Sequence, residues 1–570
     1  MAEEVWMLQT KKADFKQIGA RFRIDPVTAR IIRNRGIKGE AAIDRYLNGT
    51  LDDLYDPMLL KDMERAVSIL CEAVDTGKKI RIVGDYDIDG VCSTYILLQA
   101  FERLGSDVDF EIPDRIKDGY GINESIIEQA HADGVEVILT CDNGISAFHQ
   151  VELAKKYGMT VVITDHHEVP LDGEKEKIPP ADAVIDPKQA DCPYPFPEIC
   201  GAVVAYKLVQ VLYARRGVPQ MEWLDLLEFA AIATVGDVMK LQDENRILVK
   251  YGLKKMAQTK NLGLRRLAEK NNLDLGAITA YHIGFVIGPC LNAGGRLKTA
   301  KEALALLRAQ SEEEAERLAE ELKELNDTRK DMTEQGTEAA KLQVESWYQK
   351  DKVLVVFLPE CHESLAGIIA GRLREYYQKP AIVLTRGEEA VKGSGRSIDE
   401  HHMFKKLTEV SDLLLKFGGH PLAAGLSLEE KNIDEFRRRL NENAGLTEED
   451  FKAKVWIDVP MPVGYVTERL VRELSCLEPF GQGNEKPLFA EKSLRIRASR
   501  VLGRNRNVVK MTLEETDGHA IEALYFGDGT AFEEERAGRR EIDVVYYPDI
   551  NEYNGRKTLQ AVIRRYKFRG

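Results

Sequence analysis

No apolar run in these 570 residues approaches the ~18 needed to span a bilayer. The opening stretch, MAEEVWMLQTKK, lacks the basic-then-apolar segment that directs secretion. Eight cysteines are scattered without CxxC spacing, so neither a disulfide framework nor a thiolate zinc site is indicated. All eight are expected to be reduced thiols in a cytoplasmic protein. Proline and glycine are not in excess, and there is no short repeat or low-complexity tract. A net charge of −14 argues against coating nucleic acid with the whole surface, but not against a local basic groove. Acids are missing from one stretch: between Lys492 and Lys510 lie Arg495, Arg497, Arg500, Arg504 and Arg506. The basic charge is concentrated towards the C-terminal end.

What is present exceeds one compact core; the length suggests about three or four domains. Residues 1–78 read as a polar helical region. From 79 to 308, short β-rich runs (KIRIVG, DVDFEI, VEVILT, TVVITD, ADAVID) alternate with helical segments, the pattern of βαβ units and a parallel sheet. A charged helical segment at 309–350 is expected to be a long connecting helix with i,i+4 pairs. A second α/β lobe follows at 351–452, and 453–570 has the short strands and Gly/Asn/Asp turns of a small β-barrel. The expected fold class is α/β: two α/β lobes joined by a long helix, plus a C-terminal barrel.

The stretch GDYDIDG, residues 84–90, places Asp85, Asp87 and Asp89 at alternate positions. This resembles the front of an EF-hand calcium loop, but the twelfth position is Ile96 instead of glutamate, and a strand precedes it instead of a helix. At the carboxyl end of a parallel strand, the run instead occupies the usual ligand position of an open α/β sheet. Two other strand ends carry similar chemistry: Asp142 in CDNG, and Asp165, His166 and His167 in DHHEVP. Asp237 ends an apolar helical stretch. Singly, each has an ordinary explanation as a cap or turn residue; together on consecutive strand ends they point to metal binding. Carboxylates with one or two imidazoles suit Mn²⁺ or Mg²⁺, and there are enough acids for two ions. Such a pair is the usual clamp for phosphoryl hydrolysis.

These motifs resemble the DHH phosphoesterase superfamily, and the later ones narrow the resemblance. GPCLNAGGRL (288–297), GSGRS (393–397), KFGGHPLAAGL (416–426) and LEPFGQGNEKPLF (477–489) are similar to those of the RecJ family, single-strand-specific 5′→3′ DNA exonucleases. IPDRIKDGYG (112–121) fits as well. The resemblance covers essentially the whole chain, in order. It implies metal ligands at Asp85, Asp87, Asp89, Asp142, His166 and Asp237, with Asp142 bridging. It implies that His167 contacts the scissile phosphate and that Asp165 orients a histidine. In the DHHA1-type lobe it implies phosphate contact by Ser394, Arg396, Ser397, Gly418, Gly419 and His420, with Arg115 and Arg296 gripping the 5′-terminal phosphate. The barrel becomes an OB-fold whose Arg495, Arg497, Arg504 and Arg506 are candidates for DNA contact. The activity implied is metal-dependent release of 5′-mononucleotides from single-stranded DNA, in repair and recombination. A single-strand-binding protein and a helicase are implied as partners, and a monomer is expected. Relatives acting on very short substrates, and a pyrophosphatase, would leave the C-terminal hundred residues unused. A non-catalytic relative would have lost several acids.

Overall fold

The computed structural model describes residues 4–553 and 555–569. It divides into two compact units that do not follow chain order. One consists chiefly of Tyr55–Met239 and Tyr251–Ala453; the other gathers Val5–Leu54, Lys240–Lys250 and Lys454–Gly570. Residues 5–54 thus pack with the C-terminal unit, whereas helix Met63–Thr76 lies against the first sheet.

That sheet contains β1 (Ile80–Val83), β2 (Val108–Glu111), β3 (Val137–Cys141), β4 (Thr160–Thr164) and β5 (Ala183–Ile185). All pairings are parallel, in the order β2-β1-β3-β4-β5. Every residue of β1 and β3 is buried, which is why these strands read as continuous apolar runs. Helices α1 (Ile88–Arg103), α2 (Gly201–Arg216) and α3 (Leu227–Gly236) pack on one another beside the sheet. In this strand order the winding reverses between β1 and β3. The carboxyl ends of those two strands therefore open the crevice where such sheets bind ligands.

Helix α4 (Gly288–Leu297) leads towards α5 (Glu312–Gln343), which at 32 residues is about 48 Å long. The connector is not simply solvated: Ala315, Leu318, Ala319 and Leu322, then Thr333, Thr337 and Ala340, are buried along one stripe. The second lobe holds β6 (Leu354–Phe357), helix α6 (Ala366–Tyr377), β7 (Ala381–Arg386), β8 (Val391–Arg396), β9 (Leu414–Gly419) and β10 (Ala423–Leu428). Its sheet runs β9-β10-β8-β7-β6, with only β6 and β7 parallel.

In the other unit, β11 (Phe489–Leu502), β12 (Val508–Glu514), β13 (Ala520–Phe526), β14 (Glu541–Tyr553) and β15 (Arg556–Arg569) form a barrel. The order β11-β12-β13-β15-β14 closes through a β11–β14 pairing, the five-stranded arrangement expected of an OB-fold. β12 alternates buried with half-buried residues along its length, as a strand with one face in a core must. Ile31, Ile32, Ile43 and Tyr46 share the core of Phe489, Val509, Leu513 and Val544, so the N-terminal helices complete this unit. Buried Arg246 fastens it, donating to the carbonyls of Tyr46, Leu477 and Cys476.

Candidate active site

The three alternating acids are held in different ways. Asp85 is buried and accepts from the Gly121 backbone N–H at 3.2 Å. Asp87 caps α1, accepting from the N–H groups of Asp89 and Gly90 at 2.9 and 3.2 Å. Asp89 accepts from the N–H groups of Gly201 and Ala202, at 2.7 and 2.8 Å, at the start of α2. A helix N-terminus favours negative charge there. Glycine is required at 201, because a Cβ would stand 2.7 Å from that of Asp142. Asp142 follows β3 with φ +61°, a left-handed conformation that Asp and Asn tolerate better than most residues. Its carbonyl accepts from the Tyr120 hydroxyl at 2.7 Å. Asp237 lies at the C-terminal end of α3.

His166 draws these acids together. Its Nε2 lies 3.0 Å from Asp142, 3.4 Å from Asp89 and 3.8 Å from Asp237, and its buried Nδ1 has no hydrogen-bond partner among the described residues. Among the described residues, donor atoms here form two separate groups, each within 4.8 Å (Asp85, Asp87 and Asp142, and Asp89, His166 and Asp237), and a third, Asp142, His166 and His167, that links them. Burial, and then the charge of Asp87, pushes the Asp85 carboxyl up to about 8. Burial followed by Asp89 and Asp87 does the same for Asp237, also to about 8. Asp87 and Asp142 are raised for the same reasons. Without a bound cation the crowded acids therefore hold on to protons, and a cation placed among them would let them ionise. Two divalent cations fit this donor set of carboxylates and one imidazole, and Asp142, which touches both groups, is the acid they would share.

Asp165 stands behind the cluster. Its Oδ1 accepts from the N–H groups of His166 and His167 and lies 2.7 Å from His167 Nδ1, while Oδ2 accepts from Ile145 N–H. Burial would raise its pKa, but the hydrogen bond and charge of His167 outweigh this and leave it lowered. Burial likewise pulls His167 down, and the bond to Asp165 with the surrounding acids more than reverses this, to about 9. The Tyr120 hydroxyl lies 3.0 and 3.3 Å from the two nitrogens of the same ring.

Tyr86, between two of the acids, also lines a cavity of about 530 Å³. Arg115, Arg296, Ser394 and Arg396 line it too, with Ser364 and the first turn of α6. Arg115 lies over the Tyr86 ring, 4.7 Å from its centroid. Arg296 donates to the Ser364 carbonyl at 3.1 Å and Arg396 to that of Gly395 at 2.8 Å. Among the described residues, none of the three guanidiniums is paired with a carboxylate. Burial, then Arg115 and Arg329, lowers Arg296 to about 10; burial and Arg115 lower Arg396. Uncompensated cations at a helix N-terminus make an anion site. Gly295 lets α4 deliver Arg296, since a Cβ there would lie 2.3 Å from the Tyr86 carbonyl oxygen.

Other expected residues lie elsewhere. Ser397 is buried outside the cavity, its hydroxyl donating to the His401 carbonyl at 2.6 Å and lying 2.9 Å from that ring. In β8, Ser394 and Arg396 share one face by strand alternation, and Ser397 follows in the other register. Gly418, Gly419 and His420 form the exposed end of β9 and its turn, outside the cavity; it is their cross-strand neighbour Gly425 that lines it. Arg495, Arg497, Arg504 and Arg506 are exposed on the barrel, with Arg497 3.4 Å from Glu514 and Arg506 bonded to Thr530. Tyr86, Ser364, Thr385 and Lys392 also line the cavity and Tyr120 bonds to Asp142, although nothing local to these residues in the sequence signals a site.

Three family models match the chain: the DHH family N-terminal domain over residues 79–234, the DHHA1 domain over 350–445 and the RecJ OB domain over 457–565. The single-stranded-DNA-specific exonuclease RecJ of Bacillus subtilis is 36% identical over 98% of this chain and 70% of its own length. That of Haemophilus influenzae is 33% identical over 96% of this chain and 97% of its own. The crystal structure of RecJ in complex with Mn²⁺ from Thermus thermophilus superposes with a TM-score of 0.84 at 28% identity, covering 99% of this chain and 79% of that one. A second crystal structure from the same organism holds Mg²⁺. With all three domains matched in order, a relative 36% identical over 98% of this chain, and the Haemophilus relative spanned nearly end to end, the chain belongs to the RecJ family.

Proposed function

We propose that the protein is a metal-dependent exonuclease that hydrolyses single-stranded DNA from the 5′ end to 5′-mononucleotides. One observation carries the polarity: the three unpaired guanidiniums adjoin the acid cluster through Tyr86, so an anion bound there lies beside the reacting groups. Asp85 and Asp87 would hold one ion, Asp89, His166 and Asp237 the other, and Asp142 would be shared between them. Bound there, Mn²⁺ or Mg²⁺ activates water and neutralises charge on the scissile phosphate. Asp165 fixes the ring of His167 through Nδ1, leaving Nε2 to meet a phosphate oxygen. Arg115, Arg296, Ser394 and Arg396 bind the terminal 5′ phosphate and so place the first internucleotide linkage at the acids. Water oxygen joins that phosphorus, the bond to the 3′ oxygen of the first nucleotide breaks, and that oxygen leaves with a proton. The shortened strand ends in a new 5′ phosphate, the group the cavity takes.

The OB barrel supports a polymer substrate, since such barrels track single strands by positive charge and stacking. We place the enzyme in the cytoplasm, where such a substrate is found. The test uses 5′-labelled and 3′-labelled single strands and a blunt duplex, with Mn²⁺ or with EDTA. Mononucleotide release from the 5′ end of the single strands, abolished by EDTA, is expected. Release from the 3′ end, or equal attack on the duplex, would refute the reading.

A further inference from the structure

The anion cavity continues past the three guanidiniums. Along β8, Lys392, Ser394 and Arg396 alternate onto one face, and all three line the cavity. At about 3.3 Å per residue, that row of donors spans about 13 Å. Gly425 lies opposite Ser394 on the neighbouring strand, so no side chain interrupts it. Thr385 lies opposite Lys392; it lines the cavity, and its buried hydroxyl has no hydrogen-bond partner among the described residues. Arg115, Arg296, Arg396 and Lys392 bring four positive charges, and Glu363, 3.9 Å from Lys392, brings one negative. The balance of three positive charges exceeds the roughly two negative charges of a terminal monophosphate.

We propose that the cavity accepts a 5′ end carrying two or three phosphates in a chain. The phosphate next to the sugar lies at Arg115, Arg296 and Arg396, and the outer ones run along β8 to Lys392 and Thr385. This rests on the 5′-phosphate reading above. Hydrolysis of the first linkage then proceeds as before: water oxygen bonds to phosphorus, the P–O3′ bond breaks, and the 3′ oxygen takes the proton. A nucleoside 5′-triphosphate leaves, and the strand that remains ends in a monophosphate.

The test compares one DNA sequence bearing a 5′ triphosphate, a 5′ monophosphate or a 5′ hydroxyl. Binding is measured by fluorescence anisotropy in EDTA, so that no turnover intervenes. The triphosphate strand should bind about tenfold more tightly than the monophosphate strand, the effect of one added charge-assisted contact. Lys392→Ala, at an exposed position, should abolish that margin. In Mn²⁺, chromatography of the first product should show the nucleoside triphosphate. Equal affinity for the two phosphorylated strands, or a margin untouched by Lys392→Ala, would overturn the proposal while leaving the terminal-phosphate reading intact. Failure to prefer the monophosphate over the hydroxyl strand would overturn both.

Discussion

Asp142→Asn should remove hydrolysis and yet stabilise the metal-free protein. Asparagine keeps the shape of the side chain and is at home at φ +61°, so the substitution tests charge without adding backbone strain. Donor atoms of Asp85, Asp87 and Asp142 lie within 4.8 Å of one another. At an effective dielectric of about 20, two such charges repel by about 3.5 kcal/mol, and uptake of protons relieves part of this. The bond across 3.0 Å to His166 is retained, because the asparagine carbonyl still accepts. A net gain of about 1–3 kcal/mol in EDTA is expected, or a rise of several °C in Tm. The gain should grow with pH, because the carboxyl is raised by burial and by Asp89, Asp87 and Asp85, and the wild-type cluster ionises as pH rises. Addition of Mn²⁺ should raise the Tm of the wild type and move the variant much less. Differential scanning fluorimetry in EDTA and in Mn²⁺, alongside release of labelled mononucleotide, reads both effects. A variant that melts at or below the wild type in EDTA would refute the argument: Asp142 would then be held by its hydrogen bonds more strongly than it is repelled.

Arg296→Gln should cost one charge-assisted bond to a terminal phosphate, about 1.5–3 kcal/mol, and so lower kcat/KM on 5′-phosphorylated strands by about 10- to 150-fold. Strands ending in a 5′ hydroxyl should change little; an equal loss on both would place Arg296 in folding instead. Gly295→Ala drives a Cβ to 2.3 Å from the Tyr86 carbonyl oxygen and should weaken Mn²⁺ binding measured by calorimetry, with overpacking costing about 1–3 kcal/mol. Unchanged metal affinity would show that the GDYDIDG turn yields freely. Glu228 is buried, with Thr259 bonded to one oxygen and none to the other, and burial raises it from 4.5 to about 7. Its folded pKa being raised, the wild type keeps full stability below the ordinary value and loses it as pH climbs through about 7. Glu228→Gln should therefore out-stabilise the wild type at alkaline pH by up to about 3 kcal/mol, and show no such advantage at acid pH. Denaturant titrations at the two pH values decide it.

The sequence by itself determined the sheet of the first lobe and the chemistry at its edge. Continuous apolar runs ending in Asp85, Asp142 and Asp165–His167 specify buried parallel strands with their acids at one end. The βαβ alternation brings those ends together whatever the loops do. The motif GSGRS grouped Ser394, Arg396 and Ser397 as phosphate contacts; strand parity puts Ser397 on the other side, and that became visible only once the strand was in place. Only the tertiary structure decided the rest. Asp89 turns to α2, not to its neighbours, because the start of that helix, more than a hundred residues later, supplies two N–H groups. Residues 5–54 complete the barrel core because Ile31, Ile32, Ile43 and Tyr46 find their apolar partners only there. The anion cavity draws Arg115, Arg296 and Arg396 from three separate elements, and Thr385 and Lys392 join it through strand register. Such a site consists of distances between residues far apart in the chain, and those distances are fixed by packing, which local pattern does not encode.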